Sequence, residues 1–184
     1  MRTALLALLL AGPVLADCGM DARADVLATE ILGHPDQQRT TLVCDPRLVA
    51  YAAARAEDMA TRGFFGHVTP ENLGPNALLT AMGFPLPDGY PLGRNNSIES
   101  LVGGLSQPAE VLDQLLRSSR HRPQITGSIP FFREQDRYGI AYLRAPETPE
   151  VDIWVIVFAR EGSAADPELD CTPPPGECFT RDGG

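Results

Sequence analysis

Three side chains in this sequence carry the means for shared chemistry: His67, Glu99 and His121. Two imidazoles and one carboxylate are a known ligand set for zinc or another divalent metal, with one position left for water. In such a centre Glu99 is either a ligand or a general base, and the reaction is a metal-dependent, peptidase-like hydrolysis. Each residue also has a plainer use. His67 can cap the carbonyls of a helix before it, and His121 can interact with the negative end of its own helix. Glu99 is either solvated or aimed at a partner, since Asn95 to Gly104 holds no other charge. The chain has no G-x-S-x-G, H-E-x-x-H, phosphate-binding loop or dinucleotide fingerprint. The remaining histidine, in His34-Pro35-Asp36, reads as a solvated loop residue.

The elements that must position these groups are legible in part. Asp21 to Gly33 reads as a first helix, with Leu27 and Ile31 on one face. The clearest helix runs from Pro46 to Arg62, with Asp45 as N-cap, Pro46 at the first helical position and Gly63 as the stop. Leu48, Ala52, Ala56, Met59 and Ala60 form its buried stripe, and Arg55, Glu57, Asp58 and Arg62 are expected to face water. His67 follows at once. Pro75 to Met82 reads as a shorter helix, and Pro85 to Arg94 as a long Pro/Gly-rich loop. Ser97 to Leu101 is ambiguous between helix and irregular structure. Ser106 is expected to cap a helix over Gln107–Ser119, with His121 just past its end. Period then changes from helical to extended. Arg137–Arg144 and Val151–Ala159 form an antiparallel hairpin through a Pro-rich link, and the second strand is apolar enough to be buried on both faces. Helices first and a sheet afterwards make an α+β domain, expected as a layered sandwich.

Composition sets the compartment and excludes several partners. The chain has 184 residues, is 43% hydrophobic and 21% charged, and so suits one globular domain with a real core. Its net charge of −9 disfavours nucleic acid. All 15 basic residues are arginine, so lysine chemistry is absent. Residues 1–16 read as a secretory signal, cut after Ala16, with a lipid anchor on Cys18 as the competing reading. Its apolar run is too short for a permanent transmembrane anchor. The mature protein is then secreted or periplasmic, with a domain over residues 17–165 and an acidic Pro/Gly-rich tail over 166–184. Cys18, Cys44, Cys171 and Cys178 allow three pairings. Cys171 and Cys178 bracket a turn-forming stretch and can close a local loop, which leaves Cys18 for Cys44.

Several of these segments together resemble a known family. Arg55-Ala56-Glu57-Asp58-Met59-Ala60, followed by Gly63-Phe64-Phe65-Gly66-His67-Val68-Thr69-Pro70, is similar to the first helix and first-histidine motif of the CAP superfamily. That family comprises cysteine-rich secretory proteins, venom antigens and plant pathogenesis-related proteins, and the likeness is to its bacterial secreted branch. Asn76 to Phe84 resembles its next helix, and Ser118-Ser119-Arg120-His121-Arg122 its second-histidine motif. Tyr138–Tyr142 and Trp154–Phe158 resemble its last two strands. The family's Gly-Glu-Asn is here Ile98-Glu99-Ser100, so only the acid is kept. The resemblance implies a three-layer α-β-α sandwich with a central antiparallel sheet. It also implies a cavity lined by His67, Glu99 and His121, linked in some members to metal; animal members have two acids there, and this chain shows one. The functional expectation is a non-catalytic binding module for a small apolar ligand, a peptide or an envelope component. The alternatives are the metal-dependent hydrolase and a purely structural envelope protein.

Overall fold

A computed structural model describes residues 18–162. Helix α1 (Ala22–Leu32) starts at Asp21, whose carboxylate accepts from the Arg23 and Ala24 amides. A two-residue strand β1 (Val43–Cys44) leads into α2 (Pro46–Arg62). Asp45 caps α2 through the Arg47 amide, and Gly63 ends it in the left-handed region at φ 66°, which turns the chain towards His67. Helix α3 spans Pro75–Ala81. The ambiguous stretch around Ser97 forms strand β2 (Glu99–Gly103). Helix α4 covers Pro108–Arg117 with Gln107 at the N-cap position and no side-chain cap, so Ser106 does not cap it. Pro108 sets the start, because its missing N–H and fixed φ suit the first helical turn. Two short helices not expected from the sequence follow, α5 (Arg122–Thr126) and α6 (Pro130–Arg133). Strands β3 (Arg137–Ala145) and β4 (Val151–Ala159) form the expected hairpin.

The sheet order is β1-β3-β4-β2. It is antiparallel from β3 through β4 to β2, while β1 joins β3 in parallel, so the sheet is mixed. Strand β4 is central, and its alternate residues feed two separate cores. Ile153, Val155, Val157 and Ala159 pack with Leu48, Tyr51, Ala52, Ala56 and Met59 of α2 and with Leu79 of α3. Trp154, Ile156 and Phe158 pack on the other face with Leu27 and Ile31 of α1 and Val111 and Leu115 of α4. Three layers, α-β-α, follow directly. At Gly139 the α2 layer comes close to the sheet: a Cβ there would collide with the Leu48–Val49 backbone. Cys18 and Cys44 form a disulfide with Cα atoms 6.1 Å apart. It ties the start of the described chain to the entrance of α2 and closes a loop worth about 3–4 kcal/mol in chain entropy. The expected Cys171–Cys178 bridge and the tail lie outside the described residues.

Candidate functional site

The site sits where strand β2 begins, at the edge of the sheet. Glu99 is the first residue of β2 and shares the α2-facing side with Leu101. Its side chain is fully buried, at 0% exposure. Such a carboxylate needs compensation, and it comes from α2. Arg55 Nε donates to Glu99 Oε2 at 3.2 Å, and the Tyr51 hydroxyl donates to the same oxygen at 3.1 Å. Tyr51 and Arg55 are four residues apart, so one face of α2 presents both. The expectation that Arg55 faces water is therefore corrected: it is 4% exposed. Its other donors reach Asp58 and the carbonyls of Gly66 and His67, so the same guanidinium fixes the turn that carries His67. Burial, and then the charge of Glu99, holds the Tyr51 phenol far above its ordinary range, so it stays a donor.

His67 completes the carboxylate's shell, its Nδ1 lying 2.9 Å from Glu99 Oε1. An ionised carboxylate only accepts, so Nδ1 carries the proton and Nε2 is the free ring nitrogen. Asn96 braces the pair. Its Oδ1 accepts from the Ile98 and Glu99 amides, and its Nδ2 donates to the Glu99 carbonyl and lies 3.1 Å from His67 Nδ1. Ser100 points to the opposite face of the strand, where its hydroxyl donates to Gln124 Oε1 of α5 at 2.5 Å. His121 stands between α4 and α5, at the N-cap position of the latter. Burial lowers its pKa, as do, to a smaller degree, His67 and Arg120.

His67, Glu99 and His121 thus line one pocket of about 410 Å³. Asn96, Arg120 and Gln124 contribute further polar wall, and Phe132 the apolar part. The sequence does not single out Tyr51, Arg55, Asn96 and Gln124 as pocket residues; the solitary acid at position 99 is the signal that points to a partner. On the far side of Tyr51 and Arg55 a more apolar groove of about 320 Å³ runs between α2 and α3, bordered by Leu73, Leu78 and Met82.

The donor set does not fit the metal centre that the resemblance implies. Both Glu99 oxygens are engaged by Arg55, Tyr51 and His67, and Arg55 and Arg120 place positive charge beside the cavity. Among the described residues no group of three or more His, Cys, Asp or Glu is placed to hold an ion. No step through a metal is derived.

Two solved structures share this architecture. An extracellular protein containing a SCP domain from Bacillus anthracis str. Ames superposes with a TM-score of 0.54 at 17% identity, over 77% of this chain and 40% of that one. The fold is SCP-like. An outer surface protein from Borrelia burgdorferi superposes on the same SCP-like domain with a TM-score of 0.52 at 17% identity, over 75% of this chain and 86% of that one. No protein-family model and no curated protein matches the sequence. At this identity the likeness establishes the SCP-like fold, the one that the CAP resemblance implies. No helix among the described residues is long and apolar enough to cross a membrane.

Proposed function

We propose that this SCP-like domain is exported, to the periplasm or beyond, and binds a small ligand or peptide in the His67–Glu99–His121 pocket without transforming it. One observation carries the reading. Among the described residues, the one carboxylate lining the cavity has no exposure and has three partners, so it is a structural strut and not a base or a nucleophile. A general base must reach the proton that it removes, and Glu99 reaches only Arg55, Tyr51 and His67. What the pocket offers instead is shape and hydrogen bonding, mostly from polar side chains, which favours a polar ligand over the apolar one expected from the family. The leader-like residues 1–16 and the Cys18–Cys44 disulfide support an oxidising compartment. Both structural neighbours are described as surface or extracellular proteins, in keeping with export.

The test is a fragment screen on the mature protein, read from the imidazole resonances of His67 and His121. At least one polar fragment shifts both, and His121→Ala weakens that fragment tenfold or more. A set in which nothing reaches either imidazole overturns the reading. So does peptide turnover that Glu99→Gln abolishes while the variant stays folded.

A further inference from the structure

The lining of the pocket is opposite in character to the chain that contains it. The protein carries a net charge of −9, yet its one pocket carboxylate is already neutralised by Arg55. Apart from the free His67 Nε2, what remains facing the cavity is mainly donors, from Arg120, His121 and Gln124. Arg120 is exposed and makes no ion pair or hydrogen bond among the described residues. Most other arginines in the fold are committed, Arg47 to Asp45 and Glu161, Arg122 to Asp36, Arg160 to Glu134. An arginine left unmatched at the rim of a cavity, on a strongly acidic protein, is a free planar fork of the shape that fits a carboxylate.

Gln124 supplies a second, independent observation. It is 5% exposed, and its Oε1 is held by the Ser100 hydroxyl. That bond sets the orientation of the amide and leaves the Nε2 donor at the pocket wall without a protein partner. The amide nitrogen keeps access to the cavity, so it is a donor open to water or to a ligand. Arg39 lies behind the same residue. Its Nη2 donates to the Gln124 carbonyl at 2.6 Å, and it has no carboxylate partner, so its charge adds positive potential at this wall. His121 is half-buried, burial holds its pKa below the ordinary imidazole value, and its ring has no hydrogen bond among the described residues, which leaves a ring N–H to give.

We infer that the pocket takes a monocarboxylate with an apolar body, its anion held by Arg120, His121 and the Gln124 amide and its body against Phe132. This rests on the pocket being the ligand site. One free guanidinium beside neutral donors matches a single negative charge; a phosphate dianion would call for a second cation. The carboxylate belongs either to a small free acid or to the C-terminus of a peptide.

The experiment compares acids with their amides on the mature protein, by calorimetry and by the His121 imidazole resonance. The probes are benzoate with benzamide, N-acetyl-phenylalanine with its amide, and a tripeptide ending in phenylalanine with a free or amidated C-terminus. The acids bind at least tenfold tighter than the amides. Arg120→Gln, a surface change that leaves the core intact, removes that advantage and brings the acids to within about threefold of the amides. Tighter binding of the tripeptide than of benzoate assigns a peptide terminus, and the reverse assigns a small free acid. Amides that bind as well as acids, or acids that bind Arg120→Gln unchanged, overturn the inference while the pocket stands as a ligand site. Absence of any binder at His121, from these probes and from the fragment screen, overturns both.

Discussion

Two arginines are buried among the described residues, one on each side of the sheet, and they are held in opposite ways. Arg55, in the α2 layer, meets a carboxylate: Glu99 sits against its Nε, with Asp58 and two carbonyls taking the remaining donors. Arg39, in the α1/α4 layer, meets none. It donates to the carbonyls of Gln124, Ile125 and Phe132 and to Gln37, and it stacks 4.4 Å from the Phe158 ring centroid. Burial pushes its pKa down to about 10, still charged at neutral pH. Arg55 therefore closes a neutral network that joins α2, β2 and the His67 turn. Arg39 acts as a backbone clamp that joins α5 to α6 and leaves its charge uncancelled. The pocket lies between them, which explains how a cavity containing a glutamate can present a positive wall.

The contrast is broken most directly at Arg55. Arg55→Met leaves Glu99 buried without its cation, and a stability loss of about 3–5 kcal/mol is expected from urea unfolding. Adding Glu99→Gln removes the orphaned charge and restores at least half of that loss. If the double variant is no more stable than the single, the carboxylate is not what Arg55 holds in place.

Arg39→Met gives a smaller loss, about 1–2 kcal/mol. Three carbonyls lose their donor, but the desolvation of an unpaired cation is relieved at the same time. No substitution of an acid rescues it, and Arg39→Lys does not restore it either, because an ammonium cannot fork to three carbonyls. The sign of the pH effect sharpens the comparison. A base with a depressed pKa loses stability as pH falls through its folded value, and for Arg39 that value is about 10. The penalty is already complete below that point, so the Arg39→Met difference stays flat between pH 5 and pH 8. A loss equal to that of Arg55→Met would erase the distinction.

The same contrast marks what the residues alone could reveal. Asp45-Pro46 and Gly63 delimit α2 by local chemistry, and nine β-prone residues in a row identify β4; both stand where expected. Strand β2 was not legible. Five residues ending in Gly103, paired on one side only, carry too little alternation to outweigh a helical or irregular reading. Strand β1, at two residues, gives no period at all. Arg55 was misplaced for a more general reason. Charged residues on helices face water by default, and its partner stands 44 positions away in the sequence. His67, Glu99 and His121 stand out in the sequence because their types are rare and their setting odd. The polar groups that determine what the pocket can bind, Asn96 and Gln124, are of ordinary type, and only the tertiary arrangement gives them meaning.

The smallest effect tests the pocket itself. His121 has a pKa below the ordinary imidazole value, burial being the main cause and the neighbouring His67 and Arg120 the lesser ones. In the unfolded chain it takes a proton near pH 6.5; in the folded protein it resists. Its contribution is therefore intact above about pH 6.5 and is lost as pH falls below that point, where the unfolded state binds the extra proton. His121→Asn removes the titration while keeping a polar side chain. Urea midpoints at pH 7.5 and pH 5.5 should then fall less with acid in the variant than in the parent. Parallel slopes would mean that His121 titrates as a solvated residue, and that the positive wall beside Gln124 is too weak to be felt. A slope that flattens in the parent when N-acetyl-phenylalanine is present would tie the effect to the carboxylate site, because a bound anion offsets the charge that acid brings in.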